Sequence, residues 1–527
     1  MLLKIEIIRN ILKYKHTTKH TTKHNLQMDT ITKNTVINKV NKVNGINKIN
    51  TNEIEQHIDP WTVMAGSKGF NYFKLLNQFG TKPITPQLIA RIEKITNMRV
   101  HRFLRRGIFF SQQYLEEFLD HYESGHTCFL YTGRGPSSES MHLGHIIPFE
   151  FTKYLQEAFG CVLVIQISDD EKFYFKGGNL DNYIKFGREN AKNIICLGFD
   201  TNKTYIFSNF NEIGRGNLGL WKNNVEMSSF VSVNQIRSIF GLNQLSLFCD
   251  DNGNNKCTAT PCSIAMMSWP IYQSIPCLSS SFNFIFGNNK NNQNNQDSQD
   301  NQYNKDNKDN KDNEVSEDNN KKIFCLVPMA IDQAPYFRLV NDYCGHKKIL
   351  KPAQMHSEFL IGLGGKNTKM SSTVENNEFK PIFLTDSKEL VREKIKKCFS
   401  GGLNTKKEHL EFGADLTEDV AYQWLSLFLE SDEELEKIAV KYGPPKKNND
   451  TRMMTSEIKN ILADIIVDYL EDFQSKLNTI TDETIDSFFN PNKKFDLTRP
   501  IREPLEELSP EIYNKQGCNF DRYFGLY

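Results

Sequence analysis

The bulk charge of this sequence offers a polyanion nothing: lysine plus arginine and aspartate plus glutamate are 64 each. Any contact with nucleic acid therefore needs a local basic patch. No uninterrupted apolar run reaches the ~20 residues of a membrane-spanning helix, so no membrane partner is expected. The 11 cysteines never form a CxxC pair, and their number is odd. That argues against a zinc ribbon or a disulfide framework and for free thiols in a reducing compartment. What remains is an ordinary soluble composition, 39% hydrophobic and 24% charged, in 527 residues. Such a length suffices for two or three domains with a large core.

The first stretch, 1–57, is of low complexity, with "HTTKHTTKH" and "VINKVNKVNGINKIN". It is too polar to offset the entropy of ordering and reads as a disordered tail. "MLLKIEIIRNILKYK" has the basic amphipathic look of a transit peptide, but Glu6 and the lack of serine oppose that. Order is expected from "IDPWTVMAG", in a helical, appended segment 58–125. There Thr85 caps a helix, Pro86 fits its first turn, and Leu88, Ile89, Ile92 and Ile95 share a face. "HRFLRRGIFFSQQYLEEFLDHYESG" predicts a further helix ending at Gly125.

From 126 to about 384 the pattern alternates. "TCFLYTG", "CVLVIQIS", "KTYIFS" and "IFCLVPMA" read as strands separated by helical stretches, which predicts an α/β domain with a parallel sheet. An asparagine-rich insertion at 287–320 interrupts it and reads as disordered. Segment 385–490 predicts a separate all-helical domain. Its strongest period is Ile458, Ile461, Leu462, Ile465, Ile466, Tyr469, Leu470 and Phe473. The extension 491–527 shows no period.

One stretch carries chemistry. In "YTGRGPSSESMHLGH" a strand gives way to glycines, serines and two histidines. Pro148 is tolerated only near the start of the following helix, so that start lies close to Gly144 and His145. Free backbone N–H groups and the positive end of the helix dipole collect there, and an anion is the expected guest. Gly133, Gly135 and Gly144 let the backbone approach it. A dinucleotide fingerprint lacks its third glycine in "GRGPSS", and a Walker-type loop fails because Asn367 follows Lys366. A metal site from Glu139, His142 and His145 needs all three on one helix, which Pro148 disfavours; no metal ligands are assigned. Alone, the histidines are equally well read as helix caps. A second motif, "GGKNTKMSST", adds a loop with one cation and several hydroxyls, suited to polyphosphate.

"HLGH" and "KMSST" resemble the HIGH and KMSKS signatures of class I aminoacyl-tRNA synthetases. "DPWTV", "HRFLRRGIFFS", "YTGRGPSSESMHLGHIIPFEFTK", "VIQISDDEK", "AIDQAPYFR" and "FSGG" are similar to the eukaryotic cytoplasmic tryptophanyl-tRNA synthetases. The resemblance spans about 58 to 490. It implies a Rossmann-like parallel-sheet catalytic domain over 126–384 and a helical anticodon-recognition domain after it. It further implies activation of L-tryptophan by ATP with Mg2+, transfer to tRNA(Trp), cytoplasmic residence and a homodimer.

By that resemblance His142, His145 and Lys369 are catalytic. Arg134, Gly135, Gly144, Lys172, Met370, Ser371, Ser372 and Thr373 bind ATP. Tyr131 and Gln166 read the indole N–H, Glu171 and Gln333 hold the ammonium and carboxylate end, and Gly133 and Phe337 shape the cavity. No tightly bound cofactor is implied. Phe284 stands where the family has a glutamine, and Ala334 where it has an aspartate, so substrate affinity is the property these departures touch. Two alternatives stay open: a tyrosine ligase, or a non-catalytic synthetase-like RNA-binding regulator. The lysines of the tail offer a third role, capture of tRNA.

Overall fold

A seven-stranded sheet positions everything that follows. In this computed structural model its strands are β3 (Lys82–Pro83), β4 (Phe109–Gln113), β5 (Cys128–Arg134), β6 (Val162–Ile167), β7 (Thr204–Ser208), β8 (Phe324–Ala330) and β9 (Ala353–Ser357). Two short hairpins, β1 (His57–Ile58) with β2 (Val63–Met64) and β10 (Ile361–Gly362) with β11 (Gly365–Lys369), lie outside it. The structure describes residues 56–58, 63–64, 70–239, 263–287, 323–369, 379–445 and 452–505. The expectations for the tail and the asparagine-rich insertion lie, but for their margins, outside the described residues.

The order is β3-β4-β9-β8-β5-β6-β7. Strands β7, β6, β5, β8 and β9 run parallel, while β4 and β3 add on antiparallel beyond β9. The chain proceeds β5, β6, β7 one way and then restarts at β8 on the other side of β5. Such a reversal opens a crevice at the carboxyl ends of the strands. The predicted parallel α/β domain is therefore observed. Three strands of the sheet, β3, β4 and β9, escaped the sequence reading. Residues 109–113 form a strand between short helices at Arg102–Arg105 and Leu115–Glu123, not part of one helix. Segment 58–125 thus contributes to the main sheet as well as flanking it.

Both faces of the sheet are covered, and its central strands β5, β6, β7 and β8 are buried over nearly their whole length. Alternation assigns the faces. Phe129, Tyr131, Val162 and Val164 belong to one core, and Leu130, Leu163, Ile165 and Ile167 to the other. The helices used below are α1 (Leu143–Phe159), α2 (Glu171–Lys176), α3 (Leu180–Ile195), α4 (Ile264–Ser274), α5 (Ala334–Lys347), α6 (Lys388–Lys397), α7 (Val420–Phe428), α8 (Asp432–Tyr442), α9 (Thr455–Leu477) and α10 (Asp482–Phe489).

The helices after 385 do not stand apart. Ile458, Leu462, Ile466, Leu470 and Phe473 of α9 are buried in the same cluster as Leu143 and Leu163 of the sheet domain. Arginines of "HRFLRR" reinforce the junction. Arg102 Nε donates to the Leu427 carbonyl at 2.6 Å, and Arg105 Nε and Arg106 Nε donate to Asp432 at 2.6 and 2.7 Å. These guanidiniums satisfy carbonyls at the end of α7 and the carboxylate that opens α8, which lets the charges be buried. The extension after 490, periodless in sequence, runs back over the sheet domain. Lys493 Nζ donates to the Thr204 carbonyl at 2.6 Å, and Pro500 packs so closely on Gly160 that a Cβ there would sit 2.1 Å from it.

Candidate active site

The opening motif spans the end of β5, a turn and the start of α1. The helix begins at Leu143, with His142 as the extended N-cap residue. Pro148 falls in the second turn, not the first. The bond it forgoes points to Gly144 at the helix mouth, where least helix is lost. His142 is 1% exposed, yet neither of its ring nitrogens has a hydrogen-bond partner among the described residues. Burial, with Arg134 adding repulsion, holds its imidazole down at about 3. The ring is therefore neutral at physiological pH, with one N–H to donate. Its ring stacks on that of His145, with centroids 3.5 Å apart. The His145 Nδ1 accepts from the His142 backbone N–H at 3.3 Å.

Arg134 ends β5 beside this mouth. Its Nε donates to Asn190 of α3 at 3.0 Å, while Nη2 is buried without a partner. An unpaired guanidinium N–H and an unpaired imidazole beside a helix N-terminus are unsatisfied as they stand. An oxyanion bearing several oxygens satisfies both. These groups therefore fit the polyphosphate that the sequence motifs imply.

The second motif reaches the first by its exit. Lys369 closes β11, and Met370, Ser371, Ser372 and Thr373 lie outside the described residues. The chain is next described from Phe379, and it pairs directly with the first motif. His142 bridges Phe383 in antiparallel sense, the Leu143 N–H donates to the Ile382 carbonyl at 3.0 Å, and the Leu384 N–H donates to Met141 at 2.9 Å. Helix α9 holds the same segment: Gln474 Nε2 donates to the Leu384 carbonyl at 2.7 Å. This zipper was not anticipated, since "PIFLTD" carries no motif.

On the opposite face of β5 lies the second half of the site. Gly133 pairs with Gln166 across β5 and β6, so Tyr131 and Gln166 are diagonal neighbours on one face. The Tyr131 hydroxyl lies 2.7 Å from both Gln166 Oε1 and the Gln273 carbonyl of α4. Burial raises its pKa well above the usual range, so it stays protonated. Phe337 of α5 faces Tyr131 with ring centroids 6.4 Å apart, and Gln333 sits in the turn just before that helix. Residues Asn209 and Asp170, not singled out from the sequence, complete the network. Gln166 Nε2 donates to Asn209 Oδ1 at 2.9 Å and to the Tyr272 carbonyl at 3.2 Å, and Asn209 Nδ2 donates to Asp170 at 2.8 Å.

Glu171 and Lys172, assigned to different substrates, are joined. The Lys172 ammonium lies 2.8 Å from Glu171 Oε1, and Ser168 Oγ donates to Oε2 at 3.1 Å. Gly135 is required here: a Cβ on it would stand 2.1 Å from Glu171 Oε2. Phe284 packs against Tyr205 and the Arg215 guanidinium, with centroid distances of 5.2 and 4.5 Å. Ala334, the other departure, opens α5 and is buried against Ile331 and Phe359. Glu139 faces Lys185 at 3.5 Å, and no group of three metal-ligating side chains occurs among the described residues.

A reversing parallel sheet, with one signature at a helix mouth and the segment downstream of the other paired to it, defines a class I aminoacyl-tRNA synthetase. The family model described as "tRNA synthetases class I (W and Y)" matches residues 313–471. The chain is 42% identical over 446 residues to a cytoplasmic tryptophan–tRNA ligase of Dictyostelium discoideum, covering 84% of this chain and 98% of the relative. Among solved structures, the tryptophanyl-tRNA synthetase of Plasmodium falciparum matches with 38% identity and a TM-score of 0.63, over 80% of this chain and 96% of that one. A product-bound parasite tRNA synthetase matches with 40% identity and a TM-score of 0.65, over 80% and 97%. The chain belongs to the tryptophan–tRNA ligase family.

Proposed function

We infer that this protein is a tryptophan–tRNA ligase that joins L-tryptophan to tRNA(Trp) in two steps, both at the crevice of its parallel sheet. The tryptophan carboxylate attacks the α-phosphate of ATP, which reaches the site as its Mg2+ complex, and pyrophosphate leaves. The terminal ribose hydroxyl of the tRNA then takes the acyl group and AMP is released. The observation that carries this reading is the pairing of residues 382–384 with 141–143, which holds the exit of "KMSST" against "HLGH".

The residues divide the work by chemistry. His142, His145, Gly144 and Arg134 meet the phosphates with neutral and cationic N–H donors at a helix mouth. Lys369 supplies positive charge to the leaving pyrophosphate, and Met370, Ser371, Ser372 and Thr373 complete the nucleotide's binding set. Lys172 and Gly135 border the nucleotide. Tyr131 and Gln166 offer oxygens to the indole N–H inside an apolar wall of Gly133 and Phe337, so an analogue lacking that N–H forgoes the hydrogen bond. Glu171 and Gln333 take the amino-acid head group. Alignment of an in-line attack and neutralisation of charge at phosphorus supply the rate.

The finer partners follow from surface and sequence. Leu218 is 75% exposed and Trp221 53%, with Val225 on the same helix face. An apolar stripe of that kind supports a second copy of the chain docking there. The helices from 388 to 489 are the element for the anticodon loop. No helix among the described residues is long and apolar enough to cross a membrane, and with relatives named cytoplasmic this supports a cytoplasmic enzyme. Amino-acid-dependent exchange of pyrophosphate into ATP, screened over all twenty amino acids, tests the function. Tryptophan alone should support exchange; exchange with tyrosine instead, or with none, rejects it.

A further inference from the structure

The polar chain beneath the indole-reading pair has a direction, and one residue sets it. Asp170 is buried and accepts twice, from the Tyr174 hydroxyl at 3.1 Å and from Asn209 Nδ2 at 2.8 Å. A carboxylate receiving two such donors has no proton to return, so Asn209 turns its NH2 toward it. Asn209 is 2% exposed, and its side-chain oxygen then faces the other way and accepts from Gln166 Nε2 at 2.9 Å. The Tyr272 carbonyl takes the second amide hydrogen of Gln166 at 3.2 Å. With both amide hydrogens engaged, Gln166 Oε1 is left toward Tyr131 at 2.7 Å. The order of donors and acceptors is thus fixed from the carboxylate outward.

We propose that Asn209 is a positioning residue for tryptophan specificity: it locks the Gln166 amide with its oxygen toward Tyr131, so that the pair meets the indole N–H as an acceptor. Without Asn209 the Tyr272 carbonyl is the remaining acceptor for the amide hydrogens, and the turned amide, which presents NH2 as a donor that opposes the indole N–H, gains population. Nothing else about the amide's size or charge distinguishes the two orientations, so the selection rests on its partners. This inference rests on reading Tyr131 and Gln166 as the indole readers, and its test separates the two.

Tryptophan and its 3-benzothienyl isostere, with sulfur in place of N–H, are compared by pyrophosphate exchange in the full-length chain. The wild type should prefer tryptophan by about 100-fold in kcat/KM. Gln166→Leu should abolish that preference. A wild type without preference, or a Gln166→Leu variant that keeps it, refutes the indole reading itself and the inference with it. With both results as expected, Asn209→Leu should lower the preference by at least about tenfold through KM for tryptophan, leaving KM for ATP within about twofold. Asn209→Asp, which shares a proton with Asp170 and keeps an acceptor toward Gln166, should restore most of the preference. An unchanged preference in Asn209→Leu, or equal losses for both amino acids, overturns the proposal. Should Asn209→Leu fail to fold, Asn209→Ala carries the same expectation and the same refutation.

Discussion

The two ends of the site are built on opposite principles. At the mouth of α1, His142 and Arg134 carry buried nitrogens with no partner. Around Tyr131 and Gln166 the recorded bonds occupy both amide hydrogens and the hydroxyl. One end stays unsatisfied until a polyanion arrives, and so draws binding energy from completing those bonds. The other end is satisfied in advance and discriminates, because orientation rather than unmet demand decides which ring fits. The alternation of β5 separates them: Tyr131 and Gly133 face one way and Arg134 the other. The lesson is that a strand two residues long at its business end can serve charge and shape at once.

Substitutions at the phosphate end should therefore cost rate, and most of all at Lys369. Lys369→Ala should slow adenylate formation about 10³-fold while tryptophan affinity in the absence of ATP is unchanged, as read by single-turnover kinetics and equilibrium binding. A parallel loss of tryptophan affinity would erase the distinction between the ends. His142→Ala should slow the same step about 10²-fold. Because its ring nitrogens have no hydrogen-bond partner among the described residues, its melting temperature should fall only by what the lost ring packing explains.

Acid should then expose the unsatisfied end through stability. Burial holds His101 at about 2, and His142 and His356 at about 3. The unfolded chain protonates each at its ordinary pKa, whereas the folded chain does not. Stability is thus full above about pH 6.5 and is lost as pH falls below it, by about 2 kcal/mol per histidine at pH 5. Calorimetry at pH 5 should show a net uptake of protons on unfolding, the three histidines' uptake being offset in part by release from Asp169, whose carboxyl burial raises to about 6; a flat melting temperature between pH 7 and 5 would contradict the buried neutral rings. The smallest effect belongs to the boundary between the ends. Gly135→Ala forces the Glu171 carboxylate aside and should raise KM for tryptophan about threefold to tenfold, with little change in KM for ATP.

Much of this was legible in the sequence where local signals are strong. Thr85 does accept from the Leu88 N–H, and Leu88, Ile89 and Ile92 are buried. The four predicted parallel strands are all present. Strand β4 was hidden because Phe109 and Phe110 lie between the apolar pairs Phe103–Leu104 and Leu115–Phe118, and so short an apolar segment suits a helix as well as a strand. Strand β9 was hidden for the opposite reason. "AQMHS" looks polar, yet Gln354 and His356 are buried and hydrogen bonded, the latter with Ser111 at 2.9 Å. The phosphate end was readable as two motifs. Asn209 and Asp170 were not, because their meaning depends on the ends of β6 and β7 lying side by side, which no spacing in the sequence encodes.

A crystal structure with L-tryptophan and a non-hydrolysable ATP analogue tests the account most directly. The triphosphate should lie within hydrogen-bond distance of a His142 ring nitrogen and of Arg134 Nη2, with Lys369 drawn onto it and the indole N–H on Gln166 or Tyr131. A nucleotide bound away from the mouth of α1, with those nitrogens still unpartnered, would contradict it.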